Sequence, residues 1–192
     1  MCSSDLARAV YSEMGRLPPD ARDELAARRT YEPVFGTTTS ATHIAAVEID
    51  PETYQIRVER FAVAEDCGKL VNPLIVDGQV HGGVAQGIGA ALYEEVVYDE
   101  QGQINTASLA DYLVPSACEI PSMQVAHLES SSPTTLGGFR GMGEGGTIGA
   151  PAAIANALTD ALAPLGIEIN ELPATPERLF RLIDAARARA KT

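Results

Sequence analysis

Between Val76 and Leu92 the chain places Val76, Val80, Val84, Ile88 and Leu92 at steps of four, the spacing of one face of an α-helix. The same stretch carries Gly78, Gly82, Gly83, Gly87 and Gly89. Each glycine in a helix costs about 1 kcal/mol relative to alanine, so five of them need compensation. Close approach of the helix to a second backbone or to a ligand supplies it. A chain with this segment is thus expected to press a long, glycine-faced helix tightly against something else.

The flanking patterns predict strands. His43–Asp50 is β-leaning, Pro51-Glu52-Thr53 is a turn, and Gln55–Glu65 alternates, with Ile56 and Val58 facing one way and Arg57 and Glu59 the other. The apolar phase then shifts near Arg60-Phe61, after which Phe61 and Val63 form the buried pair; such a shift predicts a bulge. Glu94–Tyr98 and Ile104–Thr106, around a turn at Asp99–Gly102, predict a second hairpin, and Met123–Glu129 a further strand. Helices are expected from Thr147 or Pro151 to Leu162, and from Glu177 to about Ala190 with Leu179, Leu182, Ile183 and Ala186 on one face. Near the start, Ser4-Asp5 is placed to cap a short helix from Leu6 to Met14, ended by Pro18-Pro19, and the charged stretch Asp20–Arg29 looks like connector. The expected fold class is α+β: a mostly antiparallel, hairpin-based sheet with helices 77–92 and 147–162 packed on it and a C-terminal helix closing one side. Regular crossover helices between strands are not expected.

The chain has 192 residues and a net charge of −12, which argues against a nucleic-acid or anionic-membrane surface. Cys2, Cys67 and Cys118 are far apart and form no C-x-x-C, so they read as reduced thiols rather than ligands of an iron–sulfur cluster or a zinc ion. Met1-Cys-Ser-Ser-Asp-Leu-Ala-Arg does not read as a signal peptide, and no stretch approaches the roughly 18 apolar residues of a membrane span. A cytoplasmic location is expected.

Six glycines fall in the ten residues from Gly137 to Gly146. Gly141-x-Gly143-x-x-Gly146 formally satisfies a dinucleotide-binding pattern, yet residues 131–140 are not the hydrophobic strand that pattern requires. Glu144 would also face a pyrophosphate with like charge. A glycine loop with one central carboxylate can instead aim it into a cavity, as a general base requires. On spacing alone, Glu144 as a solvated loop acid remains equally open.

Two long motifs resolve more. Asp66-Cys-Gly-Lys-Leu-Val-Asn-Pro, continuing through Val-His-Gly-Gly-Val-Ala-Gln-Gly-Ile-Gly to Glu95, closely resembles the xanthine dehydrogenase/aldehyde oxidase family of molybdenum hydroxylases. The likeness is to their large, molybdopterin-binding subunits of the aerobic carbon monoxide dehydrogenase type. Gly141-Met-Gly-Glu-Gly-Gly-Thr-Ile-Gly-Ala-Pro through Ala157 resembles a second motif of that family. The resemblance implies that Glu144 is the active-site base, held close to molybdenum. It implies that the side-chain amide of Gln86 contacts the molybdopterin, the alternative being a buried helix Gln satisfied by backbone. Gly87, Gly143 and Gly145 are implied as cofactor-binding positions. His81 is left as structural and Cys67 as a small loop residue, while Arg140, near Glu144, stays open between a contact to substrate or anion and a surface arginine.

The resemblance covers roughly residues 30–190 and corresponds to the C-terminal quarter of such subunits. Residues 1–40 then read as a connector and short helix, a remnant of an upstream region, and residues 41–192 as the C-terminal molybdopterin-binding domain. The implied cofactor is molybdenum-molybdopterin, in its cytosine dinucleotide form, with iron–sulfur clusters and FAD on other subunits. The implied partners are those subunits and a polypeptide supplying the upstream part. The implied activity is oxidative hydroxylation of an aldehyde, an N-heterocycle or carbon monoxide; the alternative is a split or truncated piece acting only in assembly.

Overall fold

The structure, a computed structural model, describes residues 3–21, 28–30, 32 and 37–189. They fall into two compact units, Met1–Val34 and Phe35–Thr192. In the first, α1 spans Ser3–Tyr11, followed by 3-10 turns at Met14–Arg16 and Pro19–Ala21. Ser4 and Asp5 sit within the first turn of α1 rather than ahead of it, where the Asp5 charge favours the helix dipole. Most of the expected connector, residues 22–27, lies outside the described residues.

The second unit is built on a three-stranded sheet in the order β1 (Ser40–Ile49), β2 (Ile56–Asp66), β3 (Met123–Leu128). The first two strands form the expected antiparallel hairpin, turned by Asp50, whose Oδ1 accepts hydrogen bonds from the backbone N–H groups of Glu52 (2.8 Å) and Thr53 (3.2 Å). Val47 pairs with Val58 and Ala46 with Arg60, so Glu59 is the extra residue of a β-bulge. Glu59 and Arg60 both stay exposed, and the buried row runs Val58, Phe61, Val63, Glu65. The bulge falls one residue before the phase shift visible in the sequence.

The sheet is mixed rather than mostly antiparallel, because β3 pairs with β2 in parallel. Parallel neighbours need a crossover, and α2 (Pro73–Leu92), lying between them in sequence, supplies it. The α+β class holds, with one β-α-β crossover that the sequence pattern did not reveal. The Glu94–Thr106 region makes only an isolated bridge between Tyr98 and Ile104, too short to count as two strands.

Helix α2 starts at Pro73, earlier than its apolar period suggests, because the Asn72 side chain accepts from the Ile75 N–H and proline suits the first turn. After the glycine-rich loop come α3 (Gly145–Ile148), α4 (Ala150–Leu162) and the closing helix α5 (Pro176–Arg189). Val80, Val84 and Ile88 of α2 and Ile154 and Leu158 of α4 are fully buried with Phe61 and Leu179 in one core. On α5, Leu179, Ile183 and Ala186 are buried, whereas Leu182 remains 40% exposed. The opposite sheet face is open among the described residues, with Ile44 65% exposed.

The helical run Gly145–Leu165 is long and apolar enough to cross a membrane by length and composition, with mean hydropathy 1.2. It is divided at Gly149, and its α4 portion has 13 residues. At 1.5 Å per residue that is about 20 Å, short of the ~30 Å hydrocarbon core. Ala150, Ile154, Leu158 and Leu162 line its core-facing side, which accounts for its apolarity.

Candidate active site

The two sequence motifs meet along a seam of glycines. A Cβ on Gly83 would stand 2.8 Å from the Gly146 Cα and 2.8 Å from the Thr147 nitrogen, nearer than any side chain tolerates. One turn on, a Cβ on Gly87 would stand 2.6 Å from the Ala150 Cβ and 3.2 Å from the Pro151 Cδ. From the other side, a Cβ on Gly146 would meet the Val80 carbonyl oxygen at 2.6 Å. The compensation demanded by glycine in α2 is therefore close backbone approach, and what it approaches is the turn carrying Glu144.

A second tie joins the motif ends. Gly68 bridges Phe139, Arg140 donates its backbone N–H to the Cys67 carbonyl (2.9 Å), and Lys69 donates to the Gly138 carbonyl (3.2 Å). Gly68 is at φ +71° with the Arg140 nitrogen 3.2 Å from where a Cβ would lie, so both its conformation and its space require glycine. Arg140 donates to the carbonyls of Ser130 (Nε, 2.9 Å) and Thr38 (Nη1, 3.3 Å), which makes it a staple of this loop. Asp66 Oδ1 accepts from the N–H groups of Gly68 and Ser130, both at 3.0 Å; the Ser130 side chain first, and then these two bonds, hold its carboxyl below the usual range. Cys67 is buried and its thiol is pushed up, first by burial and then by neighbouring carboxylates. His81 bonds the Asp77 carbonyl of its own helix at 2.7 Å.

Glu144 immediately precedes α3, and its carbonyl accepts from Thr147 N–H (3.0 Å) and Ile148 N–H (3.2 Å). Its side chain caps nothing and is exposed. Gln86 is likewise exposed on α2, three residues beyond the Gly83 contact, so the buried-helix alternative does not describe it. The three flagged glycines differ. The space at Gly87 is filled by Ala150 and Pro151, and that at Gly145 by the carboxyl of Glu65. Nothing lies within 4 Å of a Cβ on Gly143, nor on Gly78 or Gly82 of the exposed α2 face. Among the described residues, no contact and no positive φ requires those last three glycines, which fits a surface left clear for a bound group.

Three side chains behind the loop escaped sequence reasoning. Glu65 is fully buried against Gly145, with Oε1 accepting from the Thr39 hydroxyl (3.0 Å). His43 bonds the Gly145 carbonyl through Nε2 at 3.2 Å, and its ring meets Phe61 edge-on. His127 bonds Asp77 through Nε2 at 2.8 Å. A signal existed for Glu65, since once the bulge is placed it follows Phe61 and Val63 on the inward face.

A cleft of about 910 Å³ opens at the other end of the hairpin, lined by Glu48, Asp50, Glu52 and Glu119 beside Arg57. It includes neither Glu144 nor Gln86, and so acidic a rim suits no phosphate-bearing cofactor.

A profile of the molybdopterin cofactor-binding domain family matches residues 3–121. The chain is 41% identical over 178 residues to the nicotine 6-hydroxylase large subunit of Paenarthrobacter nicotinovorans, covering 93% of this chain and 22% of that protein. It is 33% identical, with the same coverage, to the carbon monoxide dehydrogenase large chain of Afipia carboxidovorans. Among solved structures, quinoline 2-oxidoreductase from Pseudomonas putida 86 superposes with a TM-score of 0.81 at 45% identity, over 96% of this chain and 23% of that one. The chain thus spans less than a quarter of the relatives it matches. With its two motifs brought together on an α+β frame shared with these oxidoreductases, the chain belongs to the molybdopterin cofactor-binding domain family and corresponds to the C-terminal portion of molybdenum hydroxylase large subunits.

Proposed function

We propose that this chain supplies one wall of the active site of a molybdenum hydroxylase, with Glu144 as the general base and Gln86 as a contact to the molybdopterin. The observation that carries this reading is the seam: Gly83 against Gly146 brings the turn bearing Glu144 alongside the helix bearing Gln86, and the neighbouring Gly143 is left open. When bound, the molybdenum cofactor supplies the two-electron oxidation, as cofactors do for chemistry side chains cannot perform. The exposed Gln86 amide offers both a donor and an acceptor to a pterin edge. Gly143 leaves room beside it, while Gly87 and Gly145 act by letting α2, α3 and α4 close up. Glu144 accepts a proton at its carboxylate, which its exposed, uncapped side chain is free to do.

The relatives favour one substrate class for this proposal. Identity is higher to proteins named for nicotine and quinoline, at 41% and 45%, than to a carbon monoxide dehydrogenase at 33%. We assign an N-heterocycle hydroxylated at a ring carbon rather than an aldehyde or carbon monoxide. The cofactor is assigned its cytosine dinucleotide form. Iron–sulfur and FAD subunits are the electron acceptors, and the assembly is cytoplasmic. Residues 1–40 connect the catalytic domain, residues 41–192, to the rest of the subunit.

A site assembled from several domains leaves little cofactor affinity in one of them. The chain purified alone is expected to carry no stoichiometric molybdenum and to show no dye-linked oxidation of a pyridine or quinoline. Stoichiometric metal in the lone chain would contradict this. In the assembled enzyme, Gln86→Ala is expected to weaken cofactor retention about tenfold, the ~1.4 kcal/mol of one good polar contact. Molybdenum and cytidine nucleotide content after gel filtration reads it out, and parent-like content removes Gln86 from the contact set.

A further inference from the structure

Glu65 is out of place as a core residue. It ends the inward row Val58, Phe61, Val63 and is fully buried, where an aliphatic side chain would serve packing without desolvating a carboxyl. The other buried acid, Asp66, is accounted for by its two backbone bonds. Among the described residues Glu65 has one bond, from Thr39, and its Oε2 has no partner. What the carboxyl does touch is the Cα of Gly145, since any side chain at 145 would collide with it.

From β1, His43 donates from Nε2 to the Gly145 carbonyl at 3.2 Å, so the same residue is gripped at two points. On the far side of the turn, Gly146 lies against Gly83. The backbone next to Glu144 is thus fixed from behind, while the Glu144 side chain itself is left without a cap.

We infer that Glu65 is a positioning residue: its buried side chain is the floor on which Gly145 rests, and through Gly145 it sets where Glu144 stands. The inference rests on the reading of Glu144 as the base, and it adds a residue from a different strand to that machinery.

The groups around Glu65 define its charge state. Thr39 faces it from ahead of β1, His127 from the adjacent register of β3, Cys67 from the end of β2, and the Glu144–Gly145 turn from α3. Burial pushes the carboxyl up, and the Thr39 bond and the His127 ring pull it down less. A raised value in the fold means that stability is fully present at pH below the ordinary carboxyl range and is lost as pH rises through the raised value. Glutamine has the same shape and cannot ionise, so Glu65→Gln preserves the floor and escapes that loss. Alanine removes the floor.

The test is made on the assembled holoenzyme. In Glu65→Ala, hydrogen exchange at the Thr147 and Ile148 amides, which bond the Glu144 carbonyl, is expected to quicken at least tenfold while amides in α5 are unchanged. kcat falls at least tenfold, KM stays within twofold, and molybdenum is retained. Glu65→Gln keeps exchange and kcat within twofold of the parent. Thr39→Val, which deletes the bond to Oε1 together with the hydroxyl's contact to the Asp66 carbonyl (2.9 Å), moves exchange and kcat in the direction of Glu65→Ala and serves if the alanine variant fails to assemble. Parent-like exchange in both Glu65→Ala and Thr39→Val overturns the inference, and so does a glutamine variant as damaged as the alanine one. Glu144→Gln run alongside separates the two readings. If it retains turnover while Glu65→Ala still loosens the turn, the base assignment fails and the floor stands. If it abolishes turnover while Glu65→Ala is parent-like, only the floor fails.

Discussion

Glu144→Gln in the assembled, molybdenum-loaded enzyme is expected to lower kcat by about 10³-fold, within the 10²–10⁴ that a positioned general base contributes. Molybdenum content and thermal stability should not move, because the side chain is exposed, caps no helix and packs under nothing. The amide keeps the size of the carboxylate and removes only its capacity to take a proton. Steady-state turnover with a pyridine or quinoline substrate, paired with metal analysis, is the measurement. Turnover within tenfold of the parent would take Glu144 out of the mechanism and leave the chain as a scaffold.

The largest structural effect is expected at Gly83. Gly83→Val drives a branched side chain into the Gly146 backbone, which has no rotamer with which to yield. Overpacking of this kind costs about 3 kcal/mol, and for a chain of this size each kcal/mol shifts Tm by ~2–4 °C, so a fall of ~6–12 °C is expected by calorimetry on the full chain. Gly82→Ala is the control: its Cβ meets nothing within 4 Å, so it should raise stability by about 1 kcal/mol through helix propensity alone. Equal effects from the two would mean that the seam is not what requires glycine in α2.

These contrasts show what the sequence could convey. The period of four in α2, the alternation in β2 and the glycine cluster before Glu144 are local signals, and the corresponding elements stand close to where local rules put them. The parallel pairing of β3 with β2 is not local: it depends on how a crossover lays itself over the sheet, and nothing in Met123–Leu128 states its direction. The Glu94–Thr106 strands failed for a different reason, since the turn at Asp99–Gly102 forms but a single bridge closes it. At the site, Glu144 and Gln86 were found through their motifs. Glu65 and His43 were not, because what marks them is the backbone of Gly145, about 80 and 102 positions further along the chain.

The bulge at Glu59 carries a rule about chain length. Side chains on a strand alternate, so the inward residues of β2 have even numbers before the bulge (Ile56, Val58) and odd numbers after it (Phe61, Val63, Glu65). Deleting Glu59 would merge the two runs into one regular strand with every inward residue still inward. Deleting or inserting a single residue between Phe61 and Glu65 would reverse the parity and turn Glu65 out toward water. The hairpin therefore has one position where a residue is expendable. Beyond it, the chain is read in pairs up to the residue that meets Gly145.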